Sequence, residues 1–369
     1  MKAKKKLNFI DKIFLWITFL LCAGLLLSYL APVINPTKFW MIAFFGLAYP
    51  FLLLANGILV VYWLLRKNIW VFLPLICIGI GWNMLNRNIG LRFPQAAGPV
   101  SGPNTVRIMT YNVHNFKHYG AKNDISTKHE ILDIIAGEQP DVIGFQEFYT
   151  RAHGQYDMLD SVQNILKCNG YYFESIIGNK MESIGMALFS KFPLVSHGFI
   201  RLSEGPSENQ CIYVDIKKGA QTIRVYSVHL QSIKFDPEDY RYLNDVSQQG
   251  KPDVGSAKRL GSKLKTAFLK RSAQVLRIKN SADSCKYPYV ISGDFNDTPA
   301  SYAVNQMSRG LKNAFAEKGS GLGRTYNGSF PNFQIDYIMA SQQFDVKSYH
   351  IIEKRLSDHY PVCSDLVLK

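Results

Sequence analysis

Apolar residues fall in two different patterns along this chain. In the first ninety residues they run unbroken. Positions 13–31, 39–65 and 69–86 carry no charged side chain. A bilayer-spanning helix needs about 20 mostly apolar residues, so three transmembrane helices are expected. A removable signal peptide would account for the first run only. From about residue 105 the pattern changes to short apolar stretches that stop abruptly in polar residues. "TVRIMTYNVHNF" alternates and then turns polar, as a strand entering a loop does. "STKHEILDIIAGEQP" has Ile131, Leu132, Ile134 and Ile135 at helical spacing, with Ser126 as N-cap and Gly137 and Pro140 as stops. "DVIGFQEF" is a second buried strand. Further strands are expected at "IGMALFS", "QCIYVDIKK", "TIRVYSVHL", "YPYVISGDF", "IDYIMAS" and "PVCSDLVL", and helices at 157–167 and 258–280. Several strands follow one another with no helix between them. The sheets should therefore be largely antiparallel, with helices on their outer faces.

The domain boundaries follow from these patterns: a membrane segment over 1–91, a Pro- and Gly-rich linker over 92–104, and a soluble domain over 105–369. Charge supports the division. Net charge is +14, but residues 1–100 hold ten Lys/Arg and one acid, a net of +9, which leaves +5 for the rest. The lysine-rich start and the Arg66-Lys67 turn mark the cytoplasmic ends of the helices. Three spans then put the soluble domain outside the cytoplasm, in a multi-pass protein of the cell membrane. Arg87 and Arg92 fall on the outer side and run against this orientation. Cys168, Cys211, Cys285 and Cys363 have no C-x-x-C spacing, so a zinc site is not expected. They could pair outside the cytosol or stay as buried thiols.

The chemistry lies at the strand ends. Asn112, Glu147, His229, Asp294 with Asn296, Asp336, and Asp358 with His359 each follow or open an apolar stretch. Taken singly, such residues are ordinary turn, cap or core groups. Six junctions carrying acids, amides or imidazoles point to one convergent site. Oxygen donors without thiolates favour Mg²⁺ or Mn²⁺ over zinc.

In their order, "YNVHNF", "QEF", "VHL", "GDFN", "IDYI" and "SDHYPV" resemble the endonuclease/exonuclease/phosphatase superfamily, which includes deoxyribonuclease I-like and neutral sphingomyelinase-like enzymes. The resemblance runs from about Val106 onward. It implies an α/β fold: a four-layer sandwich of two mostly antiparallel sheets flanked by helices, here preceded by the transmembrane segment. It implies a metal-dependent phosphoester hydrolase, with Glu147 as metal ligand and Asp358 and Asn112 close by. Asp294 would orient the attacking water, and Asn296 would hold that water or a phosphate oxygen. His359 would serve as acid/base or phosphate clamp with Asp336 fixing its tautomer, and His229 would donate to a phosphoryl oxygen. Glu182 is a candidate partner for His229. The intact set argues against a scaffold that has lost catalysis.

The substrate stays open between nucleic acid and phospholipid, and between monoester and diester. Residues 251–280 carry nine basic side chains and one acid. They suit a polyanion, an anionic membrane surface, or simply a solvated helix face. Residues 233–271 are expected to form the substrate-selecting wall. There a polar loop of about twenty-five residues leads into the basic helix, Tyr240 and Tyr242 are available for stacking, and Lys258, Arg259 and Lys263 for phosphate. The bilayer is a partner through the helices; no protein partner is implied.

Overall fold

A computed structural model describes residues 7–92, 100, 102–117, 125–205, 207, 209–250, 252–328 and 332–369. Most of the expected linker, 92–104, lies outside the described residues. The N-terminal segment contains α1 (Phe9–Ser28), α2 (Met41–Leu47), α3 (Tyr49–Leu65), α4 (Phe72–Ile80) and α5 (Trp82–Asn88). Among the described residues only α1, with 20 residues, is by itself long and apolar enough to cross a membrane. The second and third apolar runs are broken. α2 and α3 meet at 60°, and Ile69–Ile80 meets α5 at 68°. Both breaks have local causes. Pro50, in the first turn of α3, cannot donate to the carbonyl four residues back and clashes with it. Gly81 lies under the Tyr29 ring, where a Cβ would come within 2.2 Å of the ring atoms.

This segment is apolar outside and mixed inside, where polar side chains join the apolar clusters around Leu25 and Trp63. Asp11, Thr18, Ser28 and Asn56 are buried, while Trp16, Leu20, Ile58 and Leu65 are exposed. Each of these buried polar groups has a partner within the segment. Asp11 caps α1 with Asn8 and takes the Arg66 guanidinium at 2.8 and 2.7 Å. Trp63 Nε1 donates to Thr18 Oγ1 at 2.9 Å, and Asn56 Nδ2 to the Leu52 carbonyl at 2.8 Å. The Asp11–Arg66 pair brings the N-terminal end of α1 and the Arg66-Lys67 turn to one end of the segment.

The rest of the chain runs β1 (Thr105–Asn112), α6 (Ile125–Glu138), β2 (Val142–Arg151), α7 (Met158–Leu166), β3 (Gly170–Gly178), β4 (Glu182–Ser190), β5 (Leu194–Arg201), β6 (Gln210–Lys218) and β7 (Gln221–His229). It continues α8 (Pro237–Gln249), α9 (Val254–Asp283), β8 (Tyr289–Asp294), α10 (Tyr302–Ser308), β9 (Leu311–Asn313), α11 (Ala314–Lys318), β10 (Asp336–Ser341), β11 (Phe344–Val346), β12 (His350–Ile351) and β13 (Val362–Leu368). One sheet has the order β11-β13-β1-β2-β4-β3, with β12 also on β13; the other is β5-β6-β7-β8-β10-β9. Each sheet holds one parallel pair near its centre, β1–β2 and β7–β8, and every other pairing is antiparallel.

Three apolar layers make this a four-layer sandwich. The inner faces meet through Ile108, Leu188, Val214, Val225 and Ile338. Ile131, Ile135 and Val162 of α6 and α7 cover Met109, Ile143 and Phe145 on one outer face. Val275, Ile278 and Val304 of α9 and α10 cover Tyr226, Val228 and Ile291 on the other. Each such aliphatic side chain, fully buried, contributes about 1.5–3 kcal/mol. Two expectations need correction, and the alternative left open for the cysteines is resolved. Ser126 lies inside the first turn of α6 and is not its cap. The stretch after β7 is no open loop, because Asp236 and Asp239 form a capping box that starts α8. All six cysteines are free thiols.

Candidate active site

The two parallel pairs end at the same edge of the sandwich. Asn112 closes β1 beside Gln146, and His229 closes β7 beside Asp294 at the end of β8. Asp336 opens β10 directly across from Asp294. Ser357 Oγ donates to the Asn112 carbonyl at 2.8 Å and accepts from the His359 N–H at 3.2 Å, which fixes the Asp358-His359 loop on the site.

Glu147 reaches the cleft through a β-bulge. Phe145 pairs with Ala187 and Phe148 with Gly185, so β2 spends three residues where β4 spends two. Phe145 and Phe148 both enter the outer core. Strict alternation would send Glu147 into that core beside Phe145; the bulge releases it. The residue adopts φ +52°, a conformation that costs a non-glycine residue on the order of 1 kcal/mol or more. Asn296 also has φ +52°, which asparagine tolerates well. Its N–H donates to Asp294 Oδ1 at 2.7 Å and its amide to Asp294 Oδ2 and the Leu230 carbonyl, both at 3.0 Å. Gly293 is required where β7 and β8 touch: a Cβ there would lie 2.1 Å from the Val228 oxygen.

These elements bring one polar cluster together. Asn112 Nδ2 donates to Asp294 Oδ2 at 3.2 Å and to Glu147 Oε1 at 3.3 Å. His229 Nε2 lies 3.6 Å from Asp294 Oδ2 and 3.9 Å from Glu147 Oε1. His359 Nδ1 faces Asp336 at 3.0 and 3.2 Å, and its Nε2 lies 3.7 Å from Asp294 Oδ2. The cleft above them has a volume of about 230 Å³.

Burial and charge work against each other here. Burial pushes the Asp294 carboxyl up to about 6, against the pull of His359 and His229. Burial also opposes charge on His359, but Asp336 and Asp294 outweigh it and hold that imidazole well above its ordinary value. Glu147 goes the other way. Despite burial, His114, His229 and His359 hold it at about 2. A carboxylate held ionised next to an imidazolium and a second, more readily protonated carboxyl is a device for moving protons.

The donors suit a divalent cation. Carboxylate oxygens of Glu147 and Asp358 and the Asn112 amide are hard ligands. Nε2 of the buried His229, with no hydrogen-bond partner among the described residues, retains capacity for a ligand. Asp294, Asp336 and His359 also bring donor atoms within 4.8 Å of one another.

Three further groups shape the site. His114 stands 3.5 Å from Glu147 and 3.6 Å from Asp358, so it links the two expected metal-side acids. It shares the "YNVHNF" stretch with Asn112, which was its signal. Arg271 is 1% exposed, pairs with Asp297 at 3.1 Å and lines the cleft; its Nη2 has no partner among the described residues. In the sequence it is one of nine basic residues. Leu47 of α2 also lines the cleft.

Other expected residues lie elsewhere. Glu182 bonds the Tyr149 hydroxyl at 2.7 Å and borders a separate depression, so it does not orient His229. Arg259 is held by Asp239 at 2.9 Å, and Lys263 by Asp236 and Asp239 at 2.6 and 2.5 Å. These two cations are neutralised by α8 and do not face the cleft. With Lys258 they line a neighbouring groove. Tyr240 lines the cleft beside Phe235, and Tyr242 does not.

The family model of the endonuclease/exonuclease/phosphatase family matches residues 109–359. The chain belongs to that family. Its members are generally phosphoester hydrolases that use a divalent metal. A model described as a domain of unknown function matches residues 11–88. No curated protein matches the chain significantly. Solved structures of similar fold include the family's protein from Bacteroides vulgatus: TM-score 0.52, 18% identity, covering 72% of this chain and 99% of that one. The protein from Beutenbergia cavernae has TM-score 0.51 and 20% identity, over 72% of each chain. The human Nocturnin catalytic domain has TM-score 0.50 and 19% identity, over 72% of this chain and 94% of that one.

Proposed function

We propose that this family member is a membrane-anchored, Mg²⁺- or Mn²⁺-dependent phosphoester hydrolase of the phosphodiesterase or nuclease type. The observation that carries the reading is the convergence of Asn112, Glu147, His229, Asp294, Asp336 and His359, from both sheets, on one cleft. A metal held by Glu147, with Asp358 and Asn112 close by, would supply charge stabilisation to the phosphoryl oxygens. Asp294 orients the attacking water and takes its proton, with Asn296 holding the Asp294 carboxylate in place. His359, kept protonated and oriented by Asp336, donates to the phosphoryl or leaving oxygen. His229 presents Nε2 to a second phosphoryl oxygen. The reaction adds water across a P–O bond and gives a phosphate or phosphomonoester plus an alcohol. A second reading, a phosphodiesterase or phosphatase of lipid headgroups, is favoured by Leu47, a membrane-segment residue in the cleft wall.

The test is a substrate panel for the full chain in detergent with Mg²⁺: DNA, RNA, sphingomyelin, phosphoinositides and bis-p-nitrophenyl phosphate. EDTA-sensitive hydrolysis of at least one is expected; none with any of these metals refutes the reading.

We further propose three membrane passages, with the catalytic domain outside the cytoplasm. Supporting this are the exposed apolar faces of α1 and α3 and the position of the Arg66-Lys67 turn, tied by Arg66 to Asp11 at the end of the segment away from the sandwich. Arg87, the cation that runs against the charge rule, bonds Asn305 of the sandwich at 2.8 Å. Protease added to intact spheroplasts should remove the catalytic domain; full protection would reverse the orientation.

A further inference from the structure

Among the described residues, the hydrogen bonds and ring contacts between the helical segment and the sandwich fall at one end of the segment, and that end is at the cleft. Asn305 accepts from Arg87 and donates to the Pro32 carbonyl at 2.9 Å. Gly90 and Gly321 exchange backbone hydrogen bonds at 2.8 and 3.0 Å. Gly46 sits so close to Ala300 that a Cβ would come within 2.8 Å of its oxygen. Between these tight contacts an apolar groove stays open. Its volume is about 650 Å³, within the roughly 300–1,000 Å³ of ligand pockets. The first turns of α3 form one wall, with Phe51 and Leu54; Pro299, Leu322 and Phe333 form the other. Phe333 also lines the catalytic cleft. The groove therefore begins where the cleft ends.

It also continues away from the cleft. Phe51, Leu54, Ile58, Val61 and Leu65 are each more than half exposed and repeat at spacings of three and four along α3. Such a repeat puts them in one stripe on the helix surface. An apolar path thus runs from the phosphoester site, past Phe333, along α3 toward its far end.

On the hydrolytic reading above, we infer that the substrate is an amphiphile: a phosphoester whose long hydrocarbon chain lies in this groove and along the α3 stripe while its head occupies the cleft. The α2–α3 bend at Ala48 makes this possible. It sets Leu47 in the cleft wall and Phe51 in the groove on consecutive turns. An interface serving only as a tether would close over Phe51, Leu54 and Leu322, because leaving contiguous apolar surface open is unfavourable unless something covers it.

The full chain in phosphatidylcholine nanodiscs, with Mg²⁺, is offered ethyl and hexadecyl p-nitrophenyl phosphate. The hexadecyl ester should be cleaved with a kcat/KM at least tenfold higher. The double variant Leu54→Ser/Leu322→Ser should lower the hexadecyl-to-ethyl ratio at least fivefold. Ile80→Ser, on an exposed face of α4 away from the groove, should leave the ratio within twofold. An unchanged ratio in the double variant overturns the inference, as does an equal drop in Ile80→Ser, or faster cleavage of a single-stranded oligonucleotide than of the hexadecyl ester. If neither ester nor oligonucleotide is cleaved, the hydrolytic reading fails, and the groove is judged by binding. A hexadecyl phosphonate with a diazirine in the first third of its chain should label the peptides holding Leu322 and Phe333; label confined to α1, α3 and α4 overturns it.

Discussion

In the sandwich, Ile108, Leu188, Val225 and Ile338 are sealed inside, and one cluster of buried polar groups, Asn112, His229, Asp294, Asp336 and His359, gathers at one edge. Along α1 and α3 the outer surface is apolar instead: Trp16, Leu20 and Ile58 are outside, while Asp11, Thr18 and Asn56 are inside alongside Leu25 and Trp63. Two regions of one chain thus turn opposite surfaces outward, as they would toward two solvents. A buried polar residue has a different meaning in each region. In the helical segment Asp11, Thr18 and Asn56 bond Arg66, Trp63 and the Leu21 carbonyl and so tie α1 to α3 and the turn after it. At the cleft some remain only partly satisfied, as His229 Nε2 and Arg271 Nη2 show, and that residual capacity is open to a ligand.

The largest test of this contrast is at the cleft. Glu147→Gln, Asp294→Asn and His359→Ala should each lower kcat/KM by about 10³-fold, some 3–4 kcal/mol of transition-state stabilisation. Melting temperatures should stay within about 3 °C. Near-normal turnover with unaltered EDTA sensitivity in all three would dissolve the distinction. A smaller effect, about 10–100-fold, is expected for Asp336→Asn, which acts through His359. Asp336 raises the His359 pKa, so its removal lowers it. If His359 acts as the acid, the alkaline limb of the pH–rate profile must move to lower pH. A limb that stays in place would free Asp336 from this role.

In the helical segment the order of effects should invert. Asn56→Ala should cost about 0.5–2 kcal/mol in unfolding from detergent and leave hydrolysis of a water-soluble ester within twofold. A large activity loss with no loss of stability would mean that Asn56 belongs functionally to the cleft. The smallest change is expected for Arg259→Gln with Lys263→Gln. Each is tied to Asp239, so KM and its salt dependence should hardly move, while α8 should become more susceptible to limited proteolysis. A flattened salt slope would return these cations to substrate binding.

Most of the cleft was legible in the sequence because its residues close or open strongly apolar strands, as Asp294 does after Tyr289-Val290-Ile291. Strands β3 and β5 were not, since both are sheet edges whose exposed positions dilute the apolar pattern. Helix α8 is nearly all polar on its surface, and only its Asp236–Asp239 capping box announces it. Arg271 is indistinguishable from its basic neighbours until α9 is rolled against the sheet. Leu47 sits inside a run that reads as membrane throughout, and only the bend at Ala48 brings it to the site.

The bulge in β2 gives Glu147 an unusual genetic position. Gln146 and Glu147 together stand opposite the single Met186 of β4, and the positive φ of the bulge falls on Glu147. Deleting its codon would leave Phe145-Gln146-Phe148 in plain alternation, with both rings still in the outer core and a positive φ removed. The resulting allele would encode a more regular strand, pass for a well-folded protein by any test of expression or melting, and be silent only at the cleft.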